Sequence, residues 1–135
     1  MNKENLSVFP TNDPLPDEFA KNFIGQAYLT MLTQKGVIIG NVTFEPGCRN
    51  NWHIHHKGGQ ILLVTGGKGY YQAWGSEVIT LYPGDIVEIP AETKHWHGAT
   101  QDSWFCHLAI EIPAEDSSNE WLEPVDASEY MRIGQ

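Results

Sequence analysis

Short runs of alternating hydrophobic and polar residues fill the middle of the chain, and glycine or proline separates most of them. The runs are rich in Val, Ile, Tyr, Trp and Thr, which is typical of β-strands bounded by turns. Strands are therefore predicted at 27–33, 37–44, 50–56, 60–65, 68–74, 77–82, 85–89, 95–99 and 104–111. Many short strands with no helical pattern between them favour an antiparallel β-sandwich or barrel.

The two ends of the chain lack this alternation. Residues 1–26 contain several prolines and turn-forming residues, and they predict an extended N-terminal arm with a short helical turn at 17–22. Residues 114–135 predict a tail packed on the barrel, with a short C-terminal helix that begins near Asp126. A single domain is expected, with its barrel over 27–113. The arm and the exposed edge of a small sheet favour a homodimer formed by strand pairing.

Composition limits the kinds of partner. The 135 residues include 8 Lys and Arg against 17 Asp and Glu, which gives a formal net charge of −9. Nucleic acids and anionic membranes are bound through clustered Lys and Arg, so neither is an expected partner. No apolar run approaches the roughly 18 residues of a membrane span, and no signal-type segment opens the chain. A cytoplasmic location is therefore expected.

Six histidines are the unusual feature of so short a chain, and the strand period groups four of them. Side chains at i and i+2 of a strand share a face, so His53 pairs with His55, and His95 pairs with His97. Imidazole is the commonest metal ligand near neutral pH because it is largely unprotonated there. A lone histidine is more often a hydrogen-bonded core or surface residue, but two such pairs on separate strands predict a metal site.

The remaining two histidines have different expected places. His107 shares a strand face with Phe105 and Ala109, so it is a candidate pocket residue or a hydrogen-bonded core histidine. His56 lies on the face opposite to His55, and no chemical role is expected for it.

Two segments resemble known sequence motifs. Residues 47–67, GCRNNWHIHHKGGQILLVTGG, resemble the first cupin motif, and residues 84–99, GDIVEIPAETKHWHGA, resemble the second. The 16 residues between them complete a specific pattern, and the resemblance implies a single-domain cupin with an all-β jelly-roll barrel. Three positions depart from the motifs: Gln60 replaces the usual acidic ligand, Glu92 replaces a glycine, and Ala99 replaces an asparagine.

The glutamine-bearing first motif, together with residues 42–47, 94–99 and 106–111, resembles the short bacterial monocupins. These include manganese-dependent hydroxynitrile lyases and carboxymuconolactone-decarboxylase-associated cupins. The resemblance implies a metal bound by His53, His55, Gln60 and His95. It also implies His107 as the catalytic acid/base residue, with His97 close by as a second catalytic candidate. Four residues rather than three separate His55 from Gln60, so the substrate does not carry over directly.

The implied ligands are all neutral, so a divalent ion would keep its full charge and act as a Lewis acid that polarises an oxygen. One divalent transition metal is expected, with manganese or iron as the physiological ion and zinc or nickel possible after purification. A water molecule in place of Gln60 is the alternative for that position.

These features indicate an enzyme that acts on a small-molecule substrate, with a histidine that moves a proton. A hydroxynitrile-lyase-like lyase or an isomerase is expected. The alternatives are an oxygen-dependent iron cupin of the dioxygenase class and a non-catalytic metal- or metabolite-binding cupin.

Overall fold

The computed structural model describes residues 6–11 and 13–134. Its helices are α1 Asp17–Ala20 and α2 Ala127–Arg132. Its strands are β1 Phe23–Ile24, β2 Ala27–Thr33, β3 Ile39–Phe44, β4 Arg49–Asn50, β5 His53–His56, β6 Gln60–Gly67, β7 Gly69–Ala73, β8 Ile79–Leu81, β9 Ile86–Ile89, β10 His95–Ala99, β11 Phe105–Glu111 and β12 Ser118–Trp121. The all-β class and the short C-terminal helix are confirmed.

The strands form two curled antiparallel sheets. One sheet has the order β2-β3-β11-β6-β9. The other has the order β1-β4-β10-β5-β12, and β7 pairs with both β10 and β8. Each strand alternates its side chains between two faces, so one face of each sheet is directed into the space between the sheets.

The interior between the sheets is filled by aromatic and aliphatic side chains, among them Phe44, Leu62, Ile89 and Phe105, which are almost fully buried. A second cluster comprises Trp52, Tyr70, Trp96, Val125 and Tyr130. Tyr130, which belongs to α2, donates a hydrogen bond of 2.6 Å from its hydroxyl to the carbonyl oxygen of Ala99. The C-terminal helix is thereby attached to β10.

Every predicted strand region contains a strand, but 50–56 is divided into β4 and β5. The backbone N–H groups of the two residues between these strands bond to loops instead of a sheet ladder. Asn51 donates to the carbonyl oxygen of Asn22 at 2.8 Å, and Trp52 donates to that of Glu123 at 3.0 Å.

The N-terminal segment runs along the edge of β2. Leu15 donates its backbone N–H to the carbonyl oxygen of Ala27, and Leu29 donates to that of Asp13, both at 3.0 Å. The helical turn expected at 17–22 is the shorter helix α1. Part of the edge available for pairing with a second copy is therefore covered within the chain, and the homodimer stays a prediction. Residues 1–5 and 12 of the expected arm lie outside the described residues.

Strand β12 was not predicted. Its four residues pair antiparallel with β5, from Ser118 opposite His56 to Trp121 opposite His53. Three of the four are exposed, so the alternation that identifies a half-buried strand is absent. The segment expected as a tail thus adds a strand to the sheet, while the domain boundaries at 27–113 and 114–135 remain a prediction. Among the described residues, neither helix has the length and apolar character needed to span a membrane.

Candidate metal centre

Three histidines on two neighbouring strands meet inside the barrel. In β5, His53 and His55 are buried while Ile54 and His56 are partly exposed, as the strand period requires. β10 runs antiparallel to β5 and places His95 opposite His53. The ring centroids of His53 and His95 are 4.2 Å apart, and each lies 5.2 Å from that of His55.

The same ring nitrogen of each of these histidines is hydrogen-bonded. Nδ1 of His53 lies 2.8 Å from the carbonyl oxygen of Asn51, and Nδ1 of His95 lies 2.8 Å from that of Thr93. Nδ1 of His55 lies 2.7 Å from Oδ1 of Asn119. A carbonyl oxygen can only accept, so each Nδ1 carries the proton and each Nε2 keeps its lone pair. Metal-binding histidines are held in this way by the partners of their second nitrogen.

Several buried polar atoms here have no hydrogen-bond partner among the described residues. They are Nε2 of His55, Nε2 of His95 and Oε1 of Gln60. Leaving a buried acceptor unpaired costs about 1–3 kcal/mol, so a cluster of such atoms requires an explanation. These neutral nitrogen and oxygen donors fit a divalent transition-metal ion.

Burial keeps the imidazoles of His53 and His95 uncharged. It lowers the pKa of His95 to about 4. It also lowers the pKa of His53 well below its usual range, and the nearby His95 adds to that effect. Because a metal ligand must be deprotonated at the binding nitrogen, both rings are ready to bind without releasing a proton.

His97 offers an alternative third nitrogen. One ring nitrogen from each of His53, His95 and His97 lies within 4.8 Å of the others. However, Asn50 is fixed by accepting a hydrogen bond of 2.9 Å from the backbone N–H of His97. Its Nδ2 then lies 3.3–3.4 Å from the two ring nitrogens of His97 and donates to that ring. Asn50 thus engages the ring of His97, whereas Nε2 of His55 has no hydrogen-bond partner in the part of the chain that the structure describes.

His107 is fully buried between aromatic rings. Its ring centroid is 5.7 Å from that of Phe44, 5.4 Å from Phe105 and 4.9 Å from His97. Neither ring nitrogen has a hydrogen-bond partner among the described residues. Burial lowers its pKa to about 4, so the ring is neutral at pH 7. A neutral imidazole with no internal partner can exchange a proton with a bound molecule.

A cavity of about 250 Å³ lies next to this cluster. Its walls are largely apolar, and its aromatic members are Phe19, Phe23 and Trp121. The polar residues that line it are Asn50, His53, His55, Gln60, His97, His107, Glu111 and Asn119. An apolar cavity with a few convergent polar groups is the usual form of a small-molecule site.

A family model described as a cupin domain matches residues 40–110, which include β5, β10 and most of β11. The chain belongs to the cupin family. The predicted resemblance and the cupin-type barrel are thereby confirmed. This cupin carries a cluster of histidines suited to a divalent metal.

The cupin is also similar to individual known proteins. It is 42% identical over 92 residues to the (R)-mandelonitrile lyase of Granulicella tundricola. These 92 residues cover 68% of this chain and 70% of that protein. A crystal structure of a cupin-like protein from Thermotoga maritima has 37% identity and a TM-score of 0.85, with 95% of this chain and 98% of that chain covered. A cupin 2 conserved barrel domain protein from Rhodopseudomonas palustris has 18% identity and a TM-score of 0.69, covering 87% of this chain and 80% of that chain. At that identity the likeness shows the fold alone.

Three residues of this cupin that hold the cluster in place were not identified from the sequence. Asn119 and Asn50 bond to His55 and His97, and Glu111 accepts a hydrogen bond from Nε2 of Gln60. The strand period does put Glu111 on the same face as His107, so its place in the cavity could have been inferred. Nothing in the sequence marks Asn119, because the strand that carries it is exposed.

His56 lies outside the cluster, as expected. Its Nδ1 contacts Glu92 and its Nε2 lies 2.8 Å from Glu120, and these hydrogen bonds raise the pKa of His56. Glu92 also accepts from the backbone N–H of Lys57 at 2.9 Å. Its φ of 65° explains why the cupin motif has glycine there, since that backbone region favours glycine.

Proposed function

We propose that this cupin is a metal-dependent lyase that cleaves 2-hydroxynitriles into an aldehyde or ketone and hydrogen cyanide. The ligands in this proposal are His53, His55, Gln60 and His95, and the ion is manganese or iron. The observation that carries it is a group of buried atoms beside an apolar cavity that His107 also lines. These atoms, Nε2 of His55, Nε2 of His95 and Oε1 of Gln60, have no hydrogen-bond partner among the described residues. The 42% identity to a mandelonitrile lyase supports this reaction class.

The bound cation would supply Lewis acidity at the substrate oxygen. In this proposal His107 takes the hydroxyl proton: the O–H bond breaks and a bond to a ring nitrogen of His107 forms. The carbon–carbon bond to the nitrile then breaks, its electron pair leaves with cyanide, and the carbonyl double bond forms. The His107 proton passes to cyanide, so the ring returns to its neutral state.

The remaining residues of the site bind and shield the substrate. Phe23, Leu29, Val42 and Trp121 line the cavity and would hold the organic substituent of the hydroxynitrile. Excluding water strengthens the electrostatic interactions of the reacting groups. His97 packs edge-on against His107 with an interplanar angle of 84°, and it limits the positions that this ring can adopt.

The test is to load the protein with Mn(II), add racemic mandelonitrile and follow benzaldehyde by ultraviolet absorbance. We expect equal rates with and without oxygen. His107→Ala should keep its metal by elemental analysis but lose about 10²- to 10⁴-fold in turnover. His56→Ala, which removes a histidine of β5 that does not line the apolar cavity, should retain both metal and turnover.

Three results would contradict the proposal. Stoichiometric metal without cleavage of mandelonitrile or aliphatic hydroxynitriles would reject the lyase. Turnover that requires iron and oxygen would favour the dioxygenase alternative. Full metal occupancy in both His53→Ala and His95→Ala would reject the ligand set.

A further inference from the structure

Gln60 can act as a metal ligand in only one of its two amide orientations. A glutamine side chain carries an oxygen that accepts and an NH₂ group that donates, and a rotation of 180° exchanges them. A cation is bound by the oxygen and repelled by the NH₂ group. Some feature of the site must therefore select the orientation.

Glu111 contacts the amide of Gln60. β11 pairs antiparallel with β6, and this register puts Glu111 opposite Gln60. Nε2 of Gln60 donates to Oε1 of Glu111, and a carboxylate can only accept. Rotating the amide would bring its oxygen against the carboxylate, which is repulsive. Within residues 6–11 and 13–134, Oε1 of Gln60 is consequently left buried without a hydrogen-bond partner.

Glu111 borders two cavities. It is half-buried and lines the apolar cavity as well as a second, more polar cavity of about 280 Å³. That second cavity is also lined by His55, Ser117, Ser118 and Asn119. A hydrogen bond from an amide to a charged acceptor is stronger than one to a neutral acceptor, and it polarises the amide toward its oxygen.

We propose that Glu111 is a positioning residue that fixes the Gln60 amide with its oxygen toward the cation. The proposal rests on the ligand set of the proposed function. Glu111 does not bind the ion itself; it acts through Gln60. Mutating a residue that holds a metal ligand through a hydrogen bond typically lowers metal affinity by about 10- to 100-fold.

The test measures Mn(II) affinity of the metal-free full chain by paramagnetic resonance titration, with no substrate present. Glu111→Ala should weaken binding by about 10- to 100-fold. Glu111→Gln should recover most of the loss, because its amide oxygen can still accept from Gln60. Glu88→Ala is the matched control, since it removes an exposed carboxylate from the neighbouring strand β9.

A double-mutant cycle separates positioning from simple charge attraction. In a Gln60→Ala background, Glu111→Ala should cause no further loss of affinity. An equal loss in both backgrounds would overturn the proposal, because Glu111 would then act by charge alone. Co(II)-substituted protein gives a second readout: its visible spectrum should change alike in Gln60→Ala and Glu111→Ala.

The two proposals fail in different ways. If the wild-type chain does not bind Mn(II) or Co(II), the ligand set of the proposed function is wrong. If the wild type binds, Gln60→Ala weakens binding and Glu111→Ala equals the wild type, the role of Glu111 alone is wrong.

Discussion

Replacing Asn119 with alanine tests whether His55 or His97 is the third histidine ligand. Asn119 contacts His55 through a hydrogen bond of 2.7 Å and is carried by β12. The substitution removes the acceptor of the Nδ1 proton, so the ring of His55 can turn or change its tautomer. His97 is bonded to Asn50 instead, and its geometry should not change.

The expected loss follows from the hydrogen bond and the exposure of Asn119. A neutral hydrogen bond contributes about 0.5–1.5 kcal/mol, and about 1.4 kcal/mol corresponds to a tenfold change in an equilibrium constant. Asn119 is exposed, so water can take over part of its role. The dissociation constant of the cation should therefore rise by about three- to tenfold. This is less than the roughly 100-fold loss that replacing a hydrogen-bond partner of a metal ligand can cause.

The measurement is a competition titration of Mn(II) or Zn(II) against a chromogenic chelator. Asn119→Asp keeps an acceptor and should retain wild-type affinity or exceed it. Glu120→Ala, at the next position of β12, should leave the metal affinity unchanged because Glu120 contacts His56, which lies outside the histidine cluster. Wild-type affinity in Asn119→Ala would refute the assignment of His55 as a ligand and would favour His53, His95 and His97.

Two further substitutions test the packing, and the addition of metal tests the site. In Gly69→Ala the new Cβ would lie 2.5 Å from the Phe105 ring, so urea unfolding should show a loss of about 1–3 kcal/mol. Tyr130→Phe leaves the buried carbonyl of Ala99 without its donor, and calorimetry should show a lower Tm from a loss of about 1–3 kcal/mol. Mn(II) at about 100 times its Kd should add about 2.7 kcal/mol to the unfolding free energy, and His53→Ala should abolish that gain.

The two histidine pairs could be predicted because each pair depends on strand period alone. His53 and His55 must share a face in any strand, and so must His95 and His97. Both pairs face the interior. The period does not give the register between strands, which decides which side chains meet. β11 shifts register against β6 between Cys106 and His107, and the contact of Glu111 with Gln60 follows from the register beyond that irregularity.

β12 was missed for a related reason. Ser118, Asn119 and Glu120 are exposed and carry no apolar signal, so backbone pairing with β5 rather than burial of side chains holds them in the sheet. A pattern of hydrophobic residues detects strands that are buried on one face. It cannot detect an edge strand of this kind, and the acceptor for His55 went unrecognised with it.

The four proposed ligands divide into two pairs by the way in which they are held. His53 and His95 are oriented by backbone carbonyls two residues earlier in the chain, so the local backbone itself sets their rings. His55 and Gln60 depend instead on the side chains of Asn119 and Glu111. Substitutions can replace these two partners without altering the barrel strands that carry the ligands. The segment from Glu111 to β12 is therefore where metal affinity can be tuned, while the backbone-held pair keeps the site in place.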